Sequence, residues 1–333
     1  MTDALTIHDE PMERVCTEWV GLLAQCGEQV PFVTPVWQQV WLKHFQGEKK
    51  LRILTARDGE RLIAVVPLLI DSSAGAAAEF VGHYSICDYL DAVITPGFEL
   101  ATLATVLRQL RDEGVTKFDL RGLREDSPVL PALLEVAEGA GFTATKEQEA
   151  LSPRVALPGS WDDYLGTLSK KDRHEMRRKL RRLDSAGRIE MRIITTAEEA
   201  APMLDTLFHL MRISNHHKEE FLDRPGMADF FRDMTAVMAD VGMLRLYALL
   251  LDEVPVAMVH NLDVGGTLYM YNSGYDPAYA HYAVGLMSKA LLIRDAIESG
   301  RTQVDFMRGD ESYKYDLGGK DRVVWHVVLS AAG

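Results

Sequence analysis

The sequence predicts two α/β domains with mixed sheets, related to each other by an internal duplication. The chain has 333 residues, and about 150 residues per domain is usual, so its length favours two cores. Apolar residues make up 47% and charged residues 26%, as in an ordinary folded globular protein. The strongest observation is that two pairs of segments match each other in order and in spacing.

The first matching pair is a hairpin. Residues 51–66 (LRILTARDGERLIAVV) align without gaps to residues 244–259 (LRLYALLLDEVPVAMV). Each segment holds two apolar runs around a tight polar turn that contains Glu60 in one copy and Glu253 in the other. Both segments are therefore predicted to be pairs of antiparallel strands.

The second matching pair is a helix end followed by a strand. Residues 110–122 (LRDEGVTKFDLRG) resemble residues 297–309 (IESGRTQVDFMRG). In both, a glycine ends the helical pattern and the following apolar run carries an aspartate, Asp119 or Asp305. We expect this repeated aspartate to be structural, accepting backbone N–H bonds at a strand end.

The remaining elements of the second half follow from apolar periodicity. A proline- and glycine-bearing stretch at 151–159 marks the seam, so we expect domains at 1–150 and 151–333. The last apolar run, 323–330, is predicted to be a strand of either sheet. The other predicted elements are, in chain order, a long helix at 161–187, a strand at 188–196, helices at 197–218 and 225–242, strands at 243–252, 255–264 and 267–275, a helix at 283–300 and a strand at 302–309.

Several classes of protein are disfavoured. The polar, acidic start and the lack of ~18 consecutive apolar residues predict a cytoplasmic protein without a membrane span. The three cysteines are scattered and none has a CxxC partner, which predicts neither a disulfide framework nor a zinc site. The sequence has no G-x-S-x-G, Walker or metalloprotease motif, which disfavours serine hydrolases, nucleotide hydrolases and zinc proteases.

Charge is segregated along the chain. The formal net charge is -13, yet residues 170–182 hold eight basic and two acidic residues. An acidic protein repels nucleic acid at long range, so no DNA partner is expected and a polyanion would have to be held locally. Lys170, Arg173 and Arg177 share one face of the predicted helix. This face is either a solvated surface or a site for a polyanion.

Four segments of the second half carry a family resemblance, and two segments of the first half support it. The pattern resembles the GNAT acyltransferase fold present twice, and more narrowly the CelD-like acetyltransferase family, whose halves are arranged like those of the Fem aminoacyl transferases. The carboxy-terminal run is the most specific part. The segments are 169–187, 254–277, 283–300 and 304–318 (VDFMRGDESYKYDLG), with 31–45 and 88–96 in the first half.

The resemblance implies an N-acyltransferase. It would pass an acyl group from acyl-CoA, a co-substrate and not a bound cofactor, to an amine of a sugar or envelope or polysaccharide precursor. The second half would be catalytic, and the first a degenerate partner that shapes the acceptor groove. One alternative is a Fem-like transferase that uses aminoacyl-tRNA. Another is a non-catalytic protein that binds a phosphorylated metabolite. The oligomeric state stays open.

The resemblance also implies catalytic residues. Tyr313 follows the strand where GNAT-like enzymes often keep a tyrosine that protonates the leaving thiolate, and a phenol donates at neutral pH. Lys314 matches the lysine of the phenylalanine-lysine stretch of Fem enzymes. Asp310 and Glu311 follow Gly309 in an expected loop at the strand's carboxyl end, and either is a candidate base.

Binding residues are predicted from the same comparison. The usual phosphate-binding turn is reduced to HYAVGLM with a single glycine, although free N–H groups at a helix start still bind anions. The adjacent His216 and His217 lack the i, i+4 spacing of a metal pair, so no metal site is expected. For the donor we predict Tyr271, Asn272, His281, Gly285, Lys170, Arg173 and Arg177, and for the acceptor Asp88, Tyr89, Asp91, His217 and Tyr275.

Overall fold

The computed structural model describes residues 5–27, 30–72 and 76–332. The chain divides into two compact units. Unit 1 runs to residue 151 and takes in the chain again from residue 322, whereas unit 2 comprises residues 152–321. Across the described residues, no helix has both the length and the apolar character needed to cross a membrane.

Strands and helices are interspersed along the described residues. The strands are β1 Ile7–Asp9, β2 Lys50–Asp58, β3 Arg61–Asp71, β4 Ala77–Phe80, β5 Val93–Ile94, β6 Lys117–Arg124, β7 Phe142–Leu151, β8 Arg154–Ala156, β9 Ile189–Ile194, β10 Leu244–Leu251, β11 Val254–Val264, β12 Thr267–Tyr275, β13 Gln303–Asp305 and β14 Val323–Ala331. The α-helices are α1 Met12–Cys26, α2 Pro35–Phe45, α3 Glu99–Asp112, α4 Val129–Val136, α5 Trp161–Thr167, α6 Lys170–Asp184, α7 Ala197–Ser214, α8 His216–Leu222, α9 Met227–Asp240, α10 Val284–Glu298 and α11 Ser312–Asp316.

Unit 1 is built on a sheet in the order β1-β2-β3-β4-β6-β14-β7, with β5 paired to β3. The strands from β1 to β4 pair antiparallel, and β4 pairs parallel with β6 after the chain has crossed over through α3. The last strand, β14, lies between β6 and β7 and pairs antiparallel with both. The strand whose sheet was left open by the sequence therefore completes the sheet of unit 1.

Unit 2 repeats this topology in the order β8-β13-β12-β11-β10-β9. Here β9 to β12 pair antiparallel, and β12 pairs parallel with β13 after a crossover through α10. The matched glycines behave alike in the two copies, since Gly114 and Gly300 both have positive φ at the end of the crossover helix. Shared strand order, shared crossover and shared helix ends confirm the tandem fold predicted from the repeat.

Two of the predicted helices are interrupted, each by a polar cap. The predicted helix 161–187 is in fact two helices, because Leu168 is extended and the Ser169 hydroxyl accepts from the backbone N–H of Asp172 at 3.1 Å to start α6. The predicted helix 197–218 likewise ends at Asn215, whose side chain caps α8. Apolar spacing continues across both breaks, so periodicity alone did not reveal them.

The parallel strands β12 and β13 of unit 2 pair over only a short stretch, which matters for the site. Only residues 267–269 of β12 pair with β13, and β12 continues to Tyr275 past the end of β13. Antiparallel pairing with β11 supports it there, with an irregularity in register beyond His260. The two parallel strands therefore separate, and the opening between them lies beside the start of α10.

Substitution of Gly274 tests how closely β12 packs on α7. A Cβ at this position would clash with backbone atoms of Leu210 and Met211, which cannot move aside as the end of a flexible side chain could. We expect Gly274→Ala to lower the Tm by roughly 5 °C or more. Gly159→Ala, where a Cβ meets nothing within 4 Å, is the matched control and should melt like the wild type. Equal melting temperatures of the two variants would contradict this packing.

Candidate active site

A cavity of about 380 Å³ opens in unit 2 where four elements converge. These are the end of β12, the start of α10, the junction of α7 with α8, and the segment that follows β13. Such a volume suits a small ligand or the reacting end of a larger one. The lining residues are Ser214, Asn215, Lys218, Ser273, Tyr275, Ala280, Ala283, Val284, Gly285, Leu286, Lys289, Glu311 and Tyr313.

The start of α10 forms one wall of the cavity and has no side-chain cap. Ala283, at the N-cap, adopts a left-handed conformation with φ of 57° and makes no side-chain hydrogen bond to the first turn. Gly285 lies against the ring of Tyr275, and a Cβ on Gly285 would come within 2.9 Å of that ring. The start of α10, where the first backbone N–H groups have no partner within the helix, therefore faces the cavity. Such a helix start is a common binding site for an anion.

Tyr313 lines the cavity from the segment after β13. Burial raises its pKa above the usual value, and the negative charge of Glu311 adds to the effect. The phenol therefore keeps its proton at neutral pH. A neutral phenol can donate a proton, as the role predicted for Tyr313 requires, and that role stays a prediction.

Lys314 does not line the cavity, although it was predicted to be catalytic. Its side chain is only 2% exposed, and its ammonium pairs with Glu311 at 2.8 Å. The same Nζ donates to the carbonyl oxygens of Met307, Arg308 and Gly309 at 2.9, 2.7 and 3.0 Å. This saturated cation holds together the loop that carries Glu311, so the geometry gives it a positioning role.

The two candidate bases differ in where they lie. Glu311 lines the cavity, and although burial acts to raise its pKa, the hydrogen bond and charge of Lys314 hold that pKa below the usual value. Asp310 is exposed and is absent from the cavity lining. Geometry thus favours Glu311 as the carboxylate that meets a substrate.

Lys289 is a buried lysine of α10 that the sequence reading missed. It is 7% exposed, it lines the cavity, and its Nζ lies 5.0 Å from the ring centre of Tyr313. Burial lowers the pKa of Lys289 to about 7, and the charges of Lys218 and Lys314 act in the same direction. At neutral pH a large fraction of this side chain is an uncharged amine.

Lys218, from α8, also lines the cavity. Its ammonium donates to the carbonyl oxygen of Ser273 and, at 3.3 Å, to the hydroxyl of the same residue. Burial lowers its pKa to about 8, against the raising effect of Glu311. Two lysines with lowered pKa values therefore converge on one cavity, an arrangement common at functional sites.

The lowered pKa of Lys289 predicts a pH-dependent stability. Between pH 7 and the ordinary lysine value the unfolded chain binds more protons than the folded chain, so the free energy of unfolding rises with pH. Lys289→Met should lose this rise, on the order of 2 kcal/mol between pH 7 and pH 10. Urea unfolding at several pH values measures it, with Lys320→Met as the exposed control. Parallel curves for Lys289→Met and wild type would rule out the burial effect.

The other residues predicted to hold the donor are spread around α10. Tyr271 packs against Phe231 and His260 with ring centres 5.5 and 6.0 Å apart, and Asn272 accepts from the N–H of Ser273. Neither Tyr271 nor Asn272 is among the cavity-lining residues. His281 is exposed just before α10, and its ring packs at a tilt against that of Tyr282. Of this group, Gly285 alone lines the cavity.

The basic face of α6 borders a separate open hollow of about 730 Å³. Among the described residues, Arg178 is the one α6 cation with a carboxylate partner, Glu175 at 2.8 Å. Arg182 donates to the carbonyl oxygen of His281 at 3.0 Å, so α6 ends beside the segment that leads into α10. The residues around the hollow include Lys170, Lys171, Arg173, His174, Glu175 and Arg177.

The predicted acceptor residues fall in both units. In unit 1, Tyr89 and Asp91 are buried, and the Asp91 carboxylate accepts from the N–H of Ala92 at 2.9 Å, while Asp88 is half-buried. In unit 2, His217 is 89% exposed at the side chain and is paired with Glu220. These four roles stay predictions. Tyr275, in contrast, lines the cavity.

The repeated aspartates have different partners in the two units. Asp305 accepts from the N–H of Met307 at 2.8 Å, which is the predicted structural role. Asp119 instead bonds to the ring of His326 at 2.7 Å and to Lys117 at 3.0 Å. The repeat preserves the position of the aspartate in the strand without preserving its contacts.

Comparison with known proteins identifies the part of the chain that contains this cavity. The sequence profile of the acetyltransferase (GNAT) domain matches residues 170–315. Residues 170–315 form a GNAT acetyltransferase domain. Every cavity-lining residue falls within this GNAT domain. The protein is an acyltransferase, as the sequence resemblance implied.

Solved structures agree with the tandem fold. FemX is similar with a TM-score of 0.64 and 12% identity over 96% of both chains. A conserved protein of unknown function from Bacteroides thetaiotaomicron gives a TM-score of 0.64 at 11% identity, covering 98% of this chain and 99% of that one. A tandem GNAT protein from the clavulanic acid biosynthesis pathway gives 0.52 at 15% identity, covering 99% of both chains. No curated protein matches the sequence.

Proposed function

We propose that the protein is an N-acyltransferase that passes an acyl group from acyl-CoA to an amine of a sugar or an envelope or polysaccharide precursor, as CelD-like enzymes are expected to do. One observation carries this proposal. A single cavity brings together the uncapped start of α10, the protonated phenol of Tyr313 and the carboxylate of Glu311. Acyl transfer needs an anchor for the donor, an acid for its leaving group and a base for the amine.

The donor's phosphates have a natural place at the start of α10. The free N–H groups of its first turn and the positive end of the helix dipole favour a diphosphate there. The unpaired cations of α6 lie on a helix whose end contacts the segment before α10 through Arg182 and His281. We assign Lys170, Arg173, Arg177 and His281 to the outer phosphates of the donor.

The transfer step uses Tyr313 and Glu311. The amine nitrogen of the acceptor attacks the thioester carbonyl carbon, so a C–N bond forms and the C–S bond breaks. The amine proton passes to the Glu311 carboxylate, and the Tyr313 hydroxyl protonates the departing thiolate. Glu311 then releases its proton to solvent and Tyr313 regains one, which leaves an amide and free coenzyme A.

Thiol release tests this function. Acetyl-CoA is incubated with a panel of amino sugars and their N-acetylated forms, and free thiol is measured with a disulfide reagent. We expect thiol release that depends on the free amine, since an N-acetylated sugar offers no nucleophile. If no acyl-CoA of any chain length released thiol with any amine, while the protein remained folded, the proposal would be wrong.

The α6 cations also favour a second candidate, a Fem-like transferase that takes its acyl group from aminoacyl-tRNA. Self-repulsion among cations without carboxylate partners is relieved by a polyanion, and RNA is one. Charged tRNA would then bind in the micromolar range or better, and activity in a lysate would be lost after RNase treatment. Activity that survives RNase and requires a thioester excludes this candidate.

A further inference from the structure

The cavity of the GNAT domain is rich in hydrogen-bond donors and buried positive charge. Lys218 and Lys289 both line it, and Tyr313 and Asn215 add a hydroxyl and an amide. The side-chain oxygen of Asn215 is already occupied by the N–H of His217 at 2.8 Å, which leaves its amide N–H groups as the available ones. A ligand that fits this lining has to bring acceptors.

Lys289 has donor capacity that the protein does not use. An ammonium carries three N–H donors, and in the described part of the chain its one acceptor is the carbonyl oxygen of Gly285 at 2.9 Å. The side chain is more than nine-tenths buried and belongs to the cavity wall. A buried cation with unspent donors is costly unless a ligand supplies the missing acceptors.

Glu311, the carboxylate in the lining, does not neutralise these lysines. It is paired with Lys314 at 2.8 Å, and its side chain is 58% exposed at the rim. Lys314 needs that partner because it is itself buried and fully hydrogen-bonded. The cavity lining therefore holds two lysines that no carboxylate neutralises, and its one carboxylate already has a charged partner in Lys314.

We propose that the cavity binds a carboxylate group of the transfer substrate between Lys218 and Lys289. A carboxylate has two oxygens and a negative charge, and charge-assisted bonds to two ammonium groups are stronger than neutral ones. A phosphate diester or a neutral sugar hydroxyl fits less well, since the first belongs at the helix start and the second leaves both charges uncompensated. This assignment rests on the proposed function only in making the carboxylate part of a transfer substrate.

The carboxylate has two possible sources. It can lie on the acyl chain, which makes the donor a dicarboxylic acyl thioester, or on the acceptor, which makes the acceptor an amino acid or an amino-sugar acid. The chemistry at the lysines is the same in both cases. Paired ligands that differ only in the carboxylate separate the two sources.

Calorimetry with such pairs is the test. Succinyl-CoA is compared with butyryl-CoA, which has the same chain length, and glycine and β-alanine with their carboxamides, on wild type, Lys289→Met, Lys218→Met and the exposed control Lys320→Met. Titrations in buffers of different ionisation enthalpy report the protons taken up on binding. Lys289 faces Lys218, Glu311, Lys314 and Tyr313, and a bound anion raises the share of protonated lysine. Proton uptake is therefore expected at pH 8 and should vanish near pH 6.

In at least one pair, we expect the ligand with the carboxylate to bind at least about tenfold more tightly than the partner without it, and to take up protons on binding. This preference should vanish in Lys289→Met but persist in Lys320→Met. Preference within the CoA pair assigns the carboxylate to the donor, and preference within the amino acid pairs assigns it to the acceptor. Equal binding within every pair, or a preference that survives Lys289→Met, overturns the proposal. Carboxylate binding without any thiol release would instead remove the proposed function and keep this site.

Discussion

Replacing Tyr313 by phenylalanine is expected to lower kcat by about 10²-fold or more while leaving the KM for the acyl donor nearly unchanged. The phenol contributes only after the C–S bond begins to break, because the thiolate that needs its proton does not exist in the bound donor. Steady-state thiol release at pH 7.5 measures both constants. The substitution removes one oxygen from a half-buried ring, so folding should be preserved.

The dependence of the rate on the leaving group distinguishes a proton donor from a packing residue. Leaving groups with a lower pKa than coenzyme A need less protonation, so thiophenyl esters should react at similar rates with Tyr313→Phe and with wild type. A variant that is equally slow with both leaving groups would show that Tyr313 acts by shape. Turnover within about twofold of wild type would remove Tyr313 from the mechanism altogether.

Replacing Lys314 by methionine is expected to destabilise unit 2 by about 3–5 kcal/mol. The variant leaves three carbonyl oxygens and Glu311 without the cation that holds them, and buried acceptors without partners are costly. Urea unfolding measures the loss, and activity should fall with it because Glu311 loses its anchor.

The matched control for this prediction is Lys320→Met, which removes an exposed lysine from the same unit. Lys314→Arg separates structure from chemistry, because a guanidinium keeps the charge but does not fit a site shaped for three carbonyls around one nitrogen. A Lys314→Met protein as stable as Lys320→Met but inactive would return Lys314 to the catalytic role that the Fem resemblance implied.

The fold was predictable because duplication is visible at two levels. Aligned turns and helix ends, such as Gly114 and Gly300, gave the order of elements, and the apolar runs gave their type. The breaks at Ser169 and Asn215 escaped prediction, since each depends on a cap that competes with a continuing apolar pattern. The sheet joined by β14 depends on a pairing between residues distant in sequence, which local patterns do not encode.

The candidate site was predictable only in part, and for a related reason. Tyr313 and Glu311 stood out because a polar cluster followed a buried strand. Lys289 lies inside an otherwise apolar helical pattern, where a lysine suggests the solvent face, and Lys218 lies beside the more conspicuous His217. The burial of both lysines follows from how α8 and α10 pack in unit 2, so sequence spacing did not reveal it.

Affinity labelling with bromoacetyl-CoA tests most directly the claim that the GNAT-domain cavity is the acyl-transfer site. A neutral lysine amine displaces bromide and forms a stable C–N bond, and mass spectrometry of peptides locates it. We predict labelling at Lys289 or Lys218 that excess acetyl-CoA prevents, more at pH 8 than at pH 6. The claim would be contradicted if Lys218 and Lys289 stayed unmodified and acetyl-CoA prevented labelling only at residues of unit 1.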